Sequence, residues 1–278
     1  MKTRAYAKVN LGLWVLGQRD DGYHELITIL HLIDLADEIT IEPSSTLSVE
    51  CDACPGGPDN LAWKAAEAVG RTKLAIRIKK GIPVAGGLGG GSADAGAVMR
   101  ELGVSMTRNV FMSIAAWIGS DVPFFASGLT AALARGRGEI ISPLVSKLMA
   151  NLILFVPRKG VDTGWAYGLL RKEGRYEDSK ESEGAAAAVV RAVENGDLDA
   201  LCQNLHNSFE RVIFRVKPRL RRAKEALLAA GAKAALLSGS GGVVYGIFPE
   251  GESLPDMPDI GGNWIKTSLG CKHELSGN

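Results

Sequence analysis

The chain has 278 residues, which exceeds the usual size of one domain, so we expect two lobes that each bury a core. Its 32 lysines and arginines nearly balance its 31 aspartates and glutamates, and this balance argues against a nucleic-acid partner. No apolar stretch approaches the roughly 18 residues that span a bilayer, and residues 1–20 contain no secretory signal. We therefore expect a cytoplasmic protein with no membrane partner.

The chain begins with segments that have the pattern of β-strands. Apolar residues alternate with polar or small ones in four of them, as in strands with one buried face: residues 3–16, 26–35, 38–41 and 74–78. The first of these segments displays Lys8 and Asn10 on its polar side. Residues 19–25 are rich in turn-forming residues and are expected to form a loop.

A glycine-rich segment follows the strand at residues 74–78 and precedes a helical pattern that ends at Gly103. Glycine lets the backbone approach a ligand and adopt positive φ, so that successive N–H groups converge on an anion at a helix N-terminus. Ser92 is expected to cap this helix, with Asp94 in its first turn. The segment predicts a phosphate site formed by Pro83, Val84, Ala85, Gly86, Gly87, Leu88, Gly89, Gly90, Gly91, Ser92 and Ala93.

Helical and strand patterns are interleaved in the rest of the chain. Helices are expected at residues 109–118, 164–171, 184–194 and 217–230, and strands at residues 130–134, 152–156 and 243–248. Pro123 should keep residues 120–125 extended or in a turn, because a proline disfavours the helical region for the residue before it. The polar residues 172–183 are expected to form a mobile loop.

The pattern lapses around residues 142–150, and we place a domain boundary there. The expected domains are residues 1–148 and residues 149–278. Cys51 and Cys54 form a CxxC motif, but no second CxxC completes a zinc site. We expect both thiols to be reduced and to lie in a loop, with zinc binding as the alternative.

The spacing of the glycines and the absence of accompanying motifs argue against three better-known phosphate loops. A P-loop requires a lysine where Ser92 stands, and a dinucleotide-binding loop requires a glycine at the same position. The glycine loop of protein kinases is accompanied by HRD and DFG motifs, and the sequence contains neither.

Three segments together resemble the motifs of the GHMP kinases, which transfer the γ-phosphoryl group of ATP to a metabolite hydroxyl. They occur in the order found in that family: residues 7–11, 83–94 and 237–241. The resemblance implies an α+β, two-lobed GHMP kinase fold. In that fold an N-terminal phosphate-loop domain binds ATP, a C-terminal domain is ferredoxin-like, and the active site lies between them.

Further segments resemble the members of the family that act on a cytidine diphosphate-linked methylerythritol in the non-mevalonate isoprenoid pathway. These segments are residues 7–13, 19–26, 119–125 and 207–210. The resemblance implies an enzyme that phosphorylates the 2-hydroxyl of this small-molecule substrate. It also implies ATP as the donor and Mg²⁺ carried with the nucleotide. The oligomeric state is left open.

The resemblance implies catalytic roles for two residues. Asp121 is the base that activates the hydroxyl, and Lys8 beside it keeps the carboxylate ionised and favours the forming alkoxide. On spacing alone, Asp121 is typical of a turn or helix cap and Lys8 of a solvated strand residue.

The resemblance also assigns the cytosine pocket. Tyr23 stacks on the base and His24 hydrogen-bonds to its edge, whereas a packing residue and a turn residue are the structural alternatives. Tyr167 is expected to close the other face of the base, with Trp165 as the alternative. Two more residues are expected to contact the polar tail of the substrate: Asn10 and Thr163.

The sequence departs from the family pattern at one position and leaves two alternative functions open. Ala93 stands where the family usually has a second serine, so we expect altered ATP contacts there. Another GHMP kinase activity, on homoserine, mevalonate or a sugar, would need no aromatic base pocket. A non-catalytic nucleotide-binding regulator on the same fold is the second alternative, and the presence of both Lys8 and Asp121 argues against it.

Overall fold

The structure is a computed structural model that describes residues 1–84 and 86–270. Its strands are β1 (Lys2–Gln18), β2 (His24–Pro43), β3 (Ser48–Cys51), β4 (Leu74–Lys79), β5 (Ala131–Gly136), β6 (Ile140–Leu144), β7 (Ala150–Pro157), β8 (His206–Asn207), β9 (Ala234–Leu237), β10 (Val244–Pro249) and β11 (Gly262–Leu269). Its α-helices are α1 (Leu61–Ala68), α2 (Gly90–Leu102), α3 (Arg108–Ile118), α4 (Val122–Ala126), α5 (Thr163–Glu173), α6 (Ser179–Asn195), α7 (Leu198–Asn204), α8 (Glu210–Val216) and α9 (Pro218–Ala229). Ala85 of the predicted phosphate segment lies outside the described residues.

β1 and β2 form a long antiparallel hairpin from which the other strands extend. Their register runs from Lys2 opposite Thr40 to Gln18 opposite His24, with three register shifts on the way. β2 also pairs with β4 and β5, β3 lies parallel to β4, and β6 pairs with β5. Residues 5–15 of β1 are all buried, so both faces of this strand are covered, and the expectation of one buried face is wrong.

The later strands continue the same sheet. β11, β7, β10 and β9 form an antiparallel series, and Leu269 of β11 lies opposite Ile33 of β2. The short β8 runs parallel to β1. In residues 1–84 and 86–270 the strands therefore form one continuous eleven-stranded sheet. As a result β1 contributes to two hydrophobic cores, with Val9 and Leu11 in the larger core and Leu13 in the smaller.

Helices cover this sheet with amphipathic faces. α2 contacts β1 and also packs on α1 and α4, whereas α6 packs on β1 and β2. α9 packs on β9 and β10 and buries Leu220, Ala223 and Leu227, whose spacing of three and four residues puts them on one face. Fully burying such a leucine stabilises the fold by about 2 kcal/mol. Across the described part of the chain, no helix is long and apolar enough to cross a membrane.

The helices differ from the sequence-based prediction at several places, and three of these have a local explanation. Residues 122–126 form α4, because Pro123 lies in the first turn, where its missing N–H would have no helical partner. The segment 172–183 is a loop only at residues 174–178: α5 extends to Glu173, and Asp178 caps α6 by accepting a hydrogen bond from the Glu181 N–H. α2 begins at Gly90, two residues before the predicted cap, after a left-handed Gly89.

Cys51 and Cys54 form a disulfide, so the prediction of two reduced thiols is wrong. Their Cα atoms are 5.4 Å apart, a separation that a disulfide can bridge. The pair is brought together because β3 ends at Cys51 and the chain turns back before the 3-10 helix Gly57–Asp59.

His31 is a fully buried histidine in β2, and its contacts suit a neutral ring. Its Nδ1–H donates to the Leu32 carbonyl at 2.7 Å, and its Nε2 accepts a hydrogen bond from the Ser146 hydroxyl at 2.8 Å. Burial lowers the pKa of His31 from 6.5 to about 4, although the Leu32 carbonyl opposes this. Between these values the unfolded chain binds a proton that the folded protein does not. The free energy of unfolding should therefore decrease by up to about 3 kcal/mol as the pH falls through this window.

We expect urea unfolding to show this loss in the wild-type protein between about pH 7 and about pH 4. His31→Asn should be less stable at neutral pH, because it disrupts buried hydrogen bonds, but its stability should fall less steeply with pH. His206→Asn, at a partly exposed histidine, serves as the control. Parallel pH curves for the wild type and His31→Asn would contradict the prediction.

Candidate active site

A cavity of about 810 Å³ is lined by residues from both halves of the chain. The glycine-rich segment runs along it. A methyl group on Gly91 would lie 3.7 Å from Leu61, one on Gly90 would lie 3.3 Å from the Lys80 Nζ, and one on Gly89 would lie 3.3 Å from the Lys8 Cε. The segment therefore connects the part of the cavity near α1 with the part near β1.

Two glycines in this segment adopt a conformation that side chains disfavour. Gly87 has φ of 77° and Gly89 has φ of 74°, both in the left-handed region. A Cβ on Gly87 would lie 2.3 Å from the Ser238 carbonyl oxygen, and one on Gly89 would lie 2.8 Å from the Phe125 ring. The close packing on both sides thus explains why glycine occupies these two positions.

The glycine turn at residues 238–242 holds the glycine-rich segment in place. The Ser238 hydroxyl donates to the Gly87 carbonyl at 3.0 Å, and the Val243 N–H donates to the Gly86 carbonyl at 3.0 Å. The Asn207 amide donates to the carbonyl of Gly239 at 2.9 Å, which anchors the same turn. Two motifs that lie far apart in the sequence therefore form a single structural unit.

α2 starts at the cavity, so its free N–H groups and the positive end of its dipole face the same space. Ser92 lies in the first turn and lines the cavity. Leu88 and Ala93 do not line it, because their side chains are buried in the larger hydrophobic core. The departure at Ala93 therefore lies in the core, and only its backbone is close to the loop.

Lys8 and Asp121, the predicted catalytic pair, lie together in the cavity wall. The Lys8 Nζ is 3.8 Å from an Asp121 carboxylate oxygen, and it donates to the Asn10 Oδ1 at 2.7 Å and to the Gly87 carbonyl at 3.0 Å. The Lys8 side chain is almost fully buried, whereas that of Asp121 is 36% exposed. Burial lowers the pKa of Lys8, and the Asp121 carboxylate partly offsets this effect.

Asn10 has a structural role in the same wall. Its amide donates to the Thr28 hydroxyl at 2.8 Å, and that hydroxyl donates to the Gly12 carbonyl at 2.6 Å. Asn10 and Thr28 are both buried and both line the cavity. This chain of hydrogen bonds fixes the Asn10 Oδ1 where it orients Lys8. The sequence pattern did not single out Thr28, since a threonine in a strand is usually only a strand former.

His24 and Tyr167 stack on each other beside the Lys8–Asp121 pair. Their ring centroids are 4.5 Å apart, and the Tyr167 ring also meets Phe209 edge to face at 4.9 Å. Burial, together with the nearby Asp121 charge, raises the pKa of Tyr167. Burial and the Arg171 charge lower the pKa of His24, which favours the neutral ring, and its Nε2 has no hydrogen-bond partner in the described part of the chain.

Tyr23 lies at the edge of the cavity and is 50% exposed. One face of its ring is covered by the Arg137 guanidinium, 4.6 Å from the ring centroid. Trp165 does not line the cavity, and Lys217 lies over its ring. Thr163 lines the cavity and shares a 2.9 Å hydrogen bond with Ser240.

A buried charge cluster that the sequence analysis missed lies near the start of α2. Lys80 donates to the carboxylates of Asp37 and Asp94, and Lys80 and Asp94 both line the cavity. Asp37 also accepts hydrogen bonds from the N–H groups of Gly81 and Ile82. Burial raises the pKa of Asp94, although Lys80 opposes this. The sequence analysis named Asp94 only as a charge in the first turn of the helix, and its pairing with Lys80 was missed because charged residues near the ends of strands and helices are usually solvated.

The family comparisons agree with the geometry. Residues 60–129 match the family described as GHMP kinases N terminal domain, and residues 189–256 match GHMP kinases C terminal. The 4-diphosphocytidyl-2-C-methyl-D-erythritol kinase of Gloeobacter violaceus is 38% identical over 89% of this chain and 85% of that protein. The enzyme of the same name from Synechococcus sp. is 41% identical over 92% of this chain and 87% of that protein.

Solved structures give the same result. A crystal structure of 4-(cytidine 5'-diphospho)-2C-methyl-D-erythritol kinase superimposes with a TM-score of 0.76 and 33% identity, covering 97% of this chain and 99% of that one. A mevalonate kinase from L. major superimposes with a TM-score of 0.68 at 16% identity, covering 98% and 96%, and this likeness shows the fold alone. The predicted α+β, two-lobed fold is therefore confirmed. The chain belongs to the GHMP kinases and, within them, to the 4-diphosphocytidyl-2-C-methyl-D-erythritol kinase family.

Proposed function

We propose that this chain phosphorylates the 2-hydroxyl of 4-diphosphocytidyl-2-C-methyl-D-erythritol with ATP as the donor, in the non-mevalonate isoprenoid pathway. The observation that carries the proposal is that one cavity contains a glycine loop at a helix N-terminus, a lysine–aspartate pair and an aromatic pocket. The glycine loop suits the phosphates of the donor, the lysine–aspartate pair suits the alcohol, and the aromatic pocket suits the cytosine ring.

The phosphoryl transfer needs positioning and stabilisation of charge more than covalent chemistry. In this proposal the N–H groups of the glycine loop and of the first turn of α2 bind the phosphates of ATP, and the position of the loop before the N-terminus of α2 supports this. Asp121 accepts the proton of the attacking hydroxyl. Lys8, 3.8 Å away, favours the ionised carboxylate and the developing negative charge on the alkoxide oxygen.

We propose that Mg²⁺ arrives with ATP and is held mainly by its phosphates, where it neutralises charge on the transferring group. Among the described residues there is no group of three or more His, Cys, Asp or Glu that could hold a metal ion. The Ser92 hydroxyl, in the first turn of α2, is an oxygen donor of the kind that Mg²⁺ accepts.

The cytosine is recognised by Tyr23 and His24 in this proposal. The ring face of Tyr23 that Arg137 leaves uncovered is available for stacking, and the free Nε2 of neutral His24 can hydrogen-bond to the base edge. Tyr167 stacks on His24 and therefore supports that ring in addition to lining the pocket. Thr163 and Asn10 remain proposed contacts of the polar tail.

Replacing Tyr23 tests the stacking. Tyr23→Ala should raise KM for the cytidyl substrate by about tenfold and leave KM for ATP nearly unchanged, because stacking a base on an aromatic ring is worth about 1–3 kcal/mol. Initial rates at varied concentrations of each substrate measure both constants. Trp165→Ala, at an exposed tryptophan outside the cavity, is the matched control. Equal increases in the two KM values would contradict stacking by Tyr23.

The activity itself is tested by ADP release from Mg-ATP in separate reactions with the cytidyl substrate, with homoserine and with mevalonate. We expect turnover with the cytidyl substrate only. Turnover with homoserine or mevalonate instead would assign the chain another activity of the GHMP family. ATP binding without ADP release in the presence of any acceptor would support a non-catalytic nucleotide-binding regulator.

We also propose a domain boundary and a cellular compartment. We propose an N-terminal domain of residues 1–148 and a C-terminal domain of residues 149–278, because β7 starts a new antiparallel series at Ala150. We also propose that the protein works in the cytoplasm, where ATP is available. The Cys51–Cys54 disulfide is unusual for that compartment.

A further inference from the structure

Lys8 and Asn10 lie on a short stretch of β1 between two register shifts. One shift falls between Tyr6 and Lys8, and the other falls between Asn10 and Gly12. Register shifts of this kind interrupt the ladder of hydrogen bonds between two strands and change the direction in which nearby side chains point. The pairing of β1 with β2 is therefore regular only over residues 8–10 here, and bonds from other elements can set the positions of Lys8 and Asn10.

Two hydrogen bonds from outside the hairpin hold the ends of this stretch. At one end, the Lys8 N–H donates to the Leu88 carbonyl of the glycine-rich segment at 3.0 Å. At the other end, the Tyr245 hydroxyl donates to the Asn10 carbonyl at 2.8 Å. Tyr245 belongs to β10 and is 235 positions away from Asn10 in the sequence. A strand from the C-terminal half of the chain therefore contacts the backbone of the strand that carries the proposed catalytic lysine.

Tyr245 is held firmly at the point of this contact. Its side chain is fully buried, and β10 pairs with β7 on one side and with β9 on the other. Burial raises the pKa of Tyr245, so its hydroxyl keeps its proton and acts as a donor. The turn that joins β9 to β10 is also close, since a methyl group on Gly239 would lie 3.4 Å from the Asn10 Oδ1 and from the Lys8 Nζ. The β9–β10 hairpin therefore adjoins both the backbone and the side chain of Asn10.

We propose that Tyr245 is a positioning residue for the phosphoryl transfer, an inference that rests on the function proposed above. Its hydroxyl fixes the Asn10 backbone, and the Asn10 Oδ1 accepts a 2.7 Å hydrogen bond from the Lys8 Nζ. That ammonium group lies 3.8 Å from the Asp121 carboxylate. Tyr245 does not line the cavity, so it acts only through these residues. A displaced lysine would stabilise the forming alkoxide less well, because this stabilisation depends on preorganised geometry.

Tyr245→Phe tests the proposal, because it removes only the hydroxyl and keeps the buried ring. We expect kcat for the cytidyl substrate to fall by about 3- to 10-fold, which corresponds to a hydrogen bond of ordinary net strength. KM for ATP and for the cytidyl substrate should change by less than about twofold, since Tyr245 is part of neither binding surface. Tyr6→Phe is the matched control, because Tyr6 is a buried tyrosine of β1 that does not line the cavity. It should leave all three constants unchanged.

A double-mutant cycle with Lys8→Met shows whether Tyr245 acts through Lys8. In the Lys8→Met background no ammonium group is left to position, so adding Tyr245→Phe should lower kcat by less than about 1.5-fold. Urea unfolding gives the folded fraction of each variant, and kcat is normalised to it. A hydrogen bond that only stabilises the fold would leave this normalised kcat unchanged in both backgrounds.

Two results would overturn the inference. One is a kcat of folded Tyr245→Phe equal to that of the wild type, which would mean that the hydrogen bond serves stability alone. The other is an equal fold-decrease in kcat with and without Lys8, which would mean that Tyr245 acts on another part of the site. Failure of the wild type to phosphorylate the cytidyl substrate would instead contradict the proposed function. In that case the same cycle, run with the acceptor that the wild type does phosphorylate, decides on Tyr245.

Discussion

Asp121→Asn should lower kcat for the cytidyl substrate by about 10²- to 10⁴-fold, because an amide cannot accept the proton of the attacking hydroxyl. The substitution preserves size and leaves the glycine loop and the aromatic pocket intact, so KM for ATP and for the cytidyl substrate should change little. Asp121 is partly exposed in the cavity wall, and the variant should therefore fold normally.

Single-turnover measurement of ADP formation gives the rate of the chemical step directly. Asp20→Asn, in the exposed loop between β1 and β2, is the control for loss of one negative charge. An Asp121→Asn variant that turns over at the wild-type rate would rule out Asp121 as the base. In that case the carboxylate would only balance the charge of Lys8.

Lys8→Met should lower kcat by at least about 10²-fold, the usual effect of removing one preorganised donor that stabilises transition-state charge. Methionine has a similar length but no charge. The Asn10 Oδ1 then loses its partner, and the Gly87 carbonyl keeps only the Ser238 hydroxyl as a side-chain donor. An unpaired buried acceptor costs about 1–3 kcal/mol, so the free energy of unfolding should also decrease.

Two readouts separate these effects. Thermal or urea unfolding measures the loss of stability, and kcat measured well below the unfolding temperature reports catalysis in the folded fraction. Lys2→Met, at the exposed start of the same strand, is the control. A kcat within about tenfold of the wild type in folded Lys8→Met would exclude a catalytic role for Lys8.

Local patterns predicted many elements of the fold correctly. The alternation in β1 and the spacing of the apolar residues in α9 depend only on neighbours along the chain, and both elements are present. The predictions failed where a local rule competes with context. Pro123 is compatible with a helix when it stands in the first turn, and the polar segment 172–183 contains the end of α5 and the start of α6.

Some features of the candidate site could likewise be predicted from local sequence, and others could not. The glycine-rich segment was recognisable because its composition and its place before a helix are local properties. The buried cluster of Lys80, Asp37 and Asp94 was not, because charged residues on a strand or helix normally face water. The contact between Tyr245 and Asn10 was missed for a related reason: the two residues are 235 positions apart and meet only in the folded sheet.

The sequence by itself determined that the chemistry is phosphoryl transfer. Its motifs are short, because a backbone conformation or a contact with one phosphate group depends on a few neighbouring residues. Only the tertiary structure decided which motifs meet. Lys8 and Gly87 are 79 positions apart and Ser238 and Gly87 are 151 apart, yet each pair is joined by a 3.0 Å hydrogen bond. Such contacts follow from the register and packing of the whole sheet, and hydrophobic burial that holds the sheet together is not directional. The phosphate loop can therefore be predicted from the sequence, whereas the cavity that selects the substrate of the enzyme forms only in the folded chain.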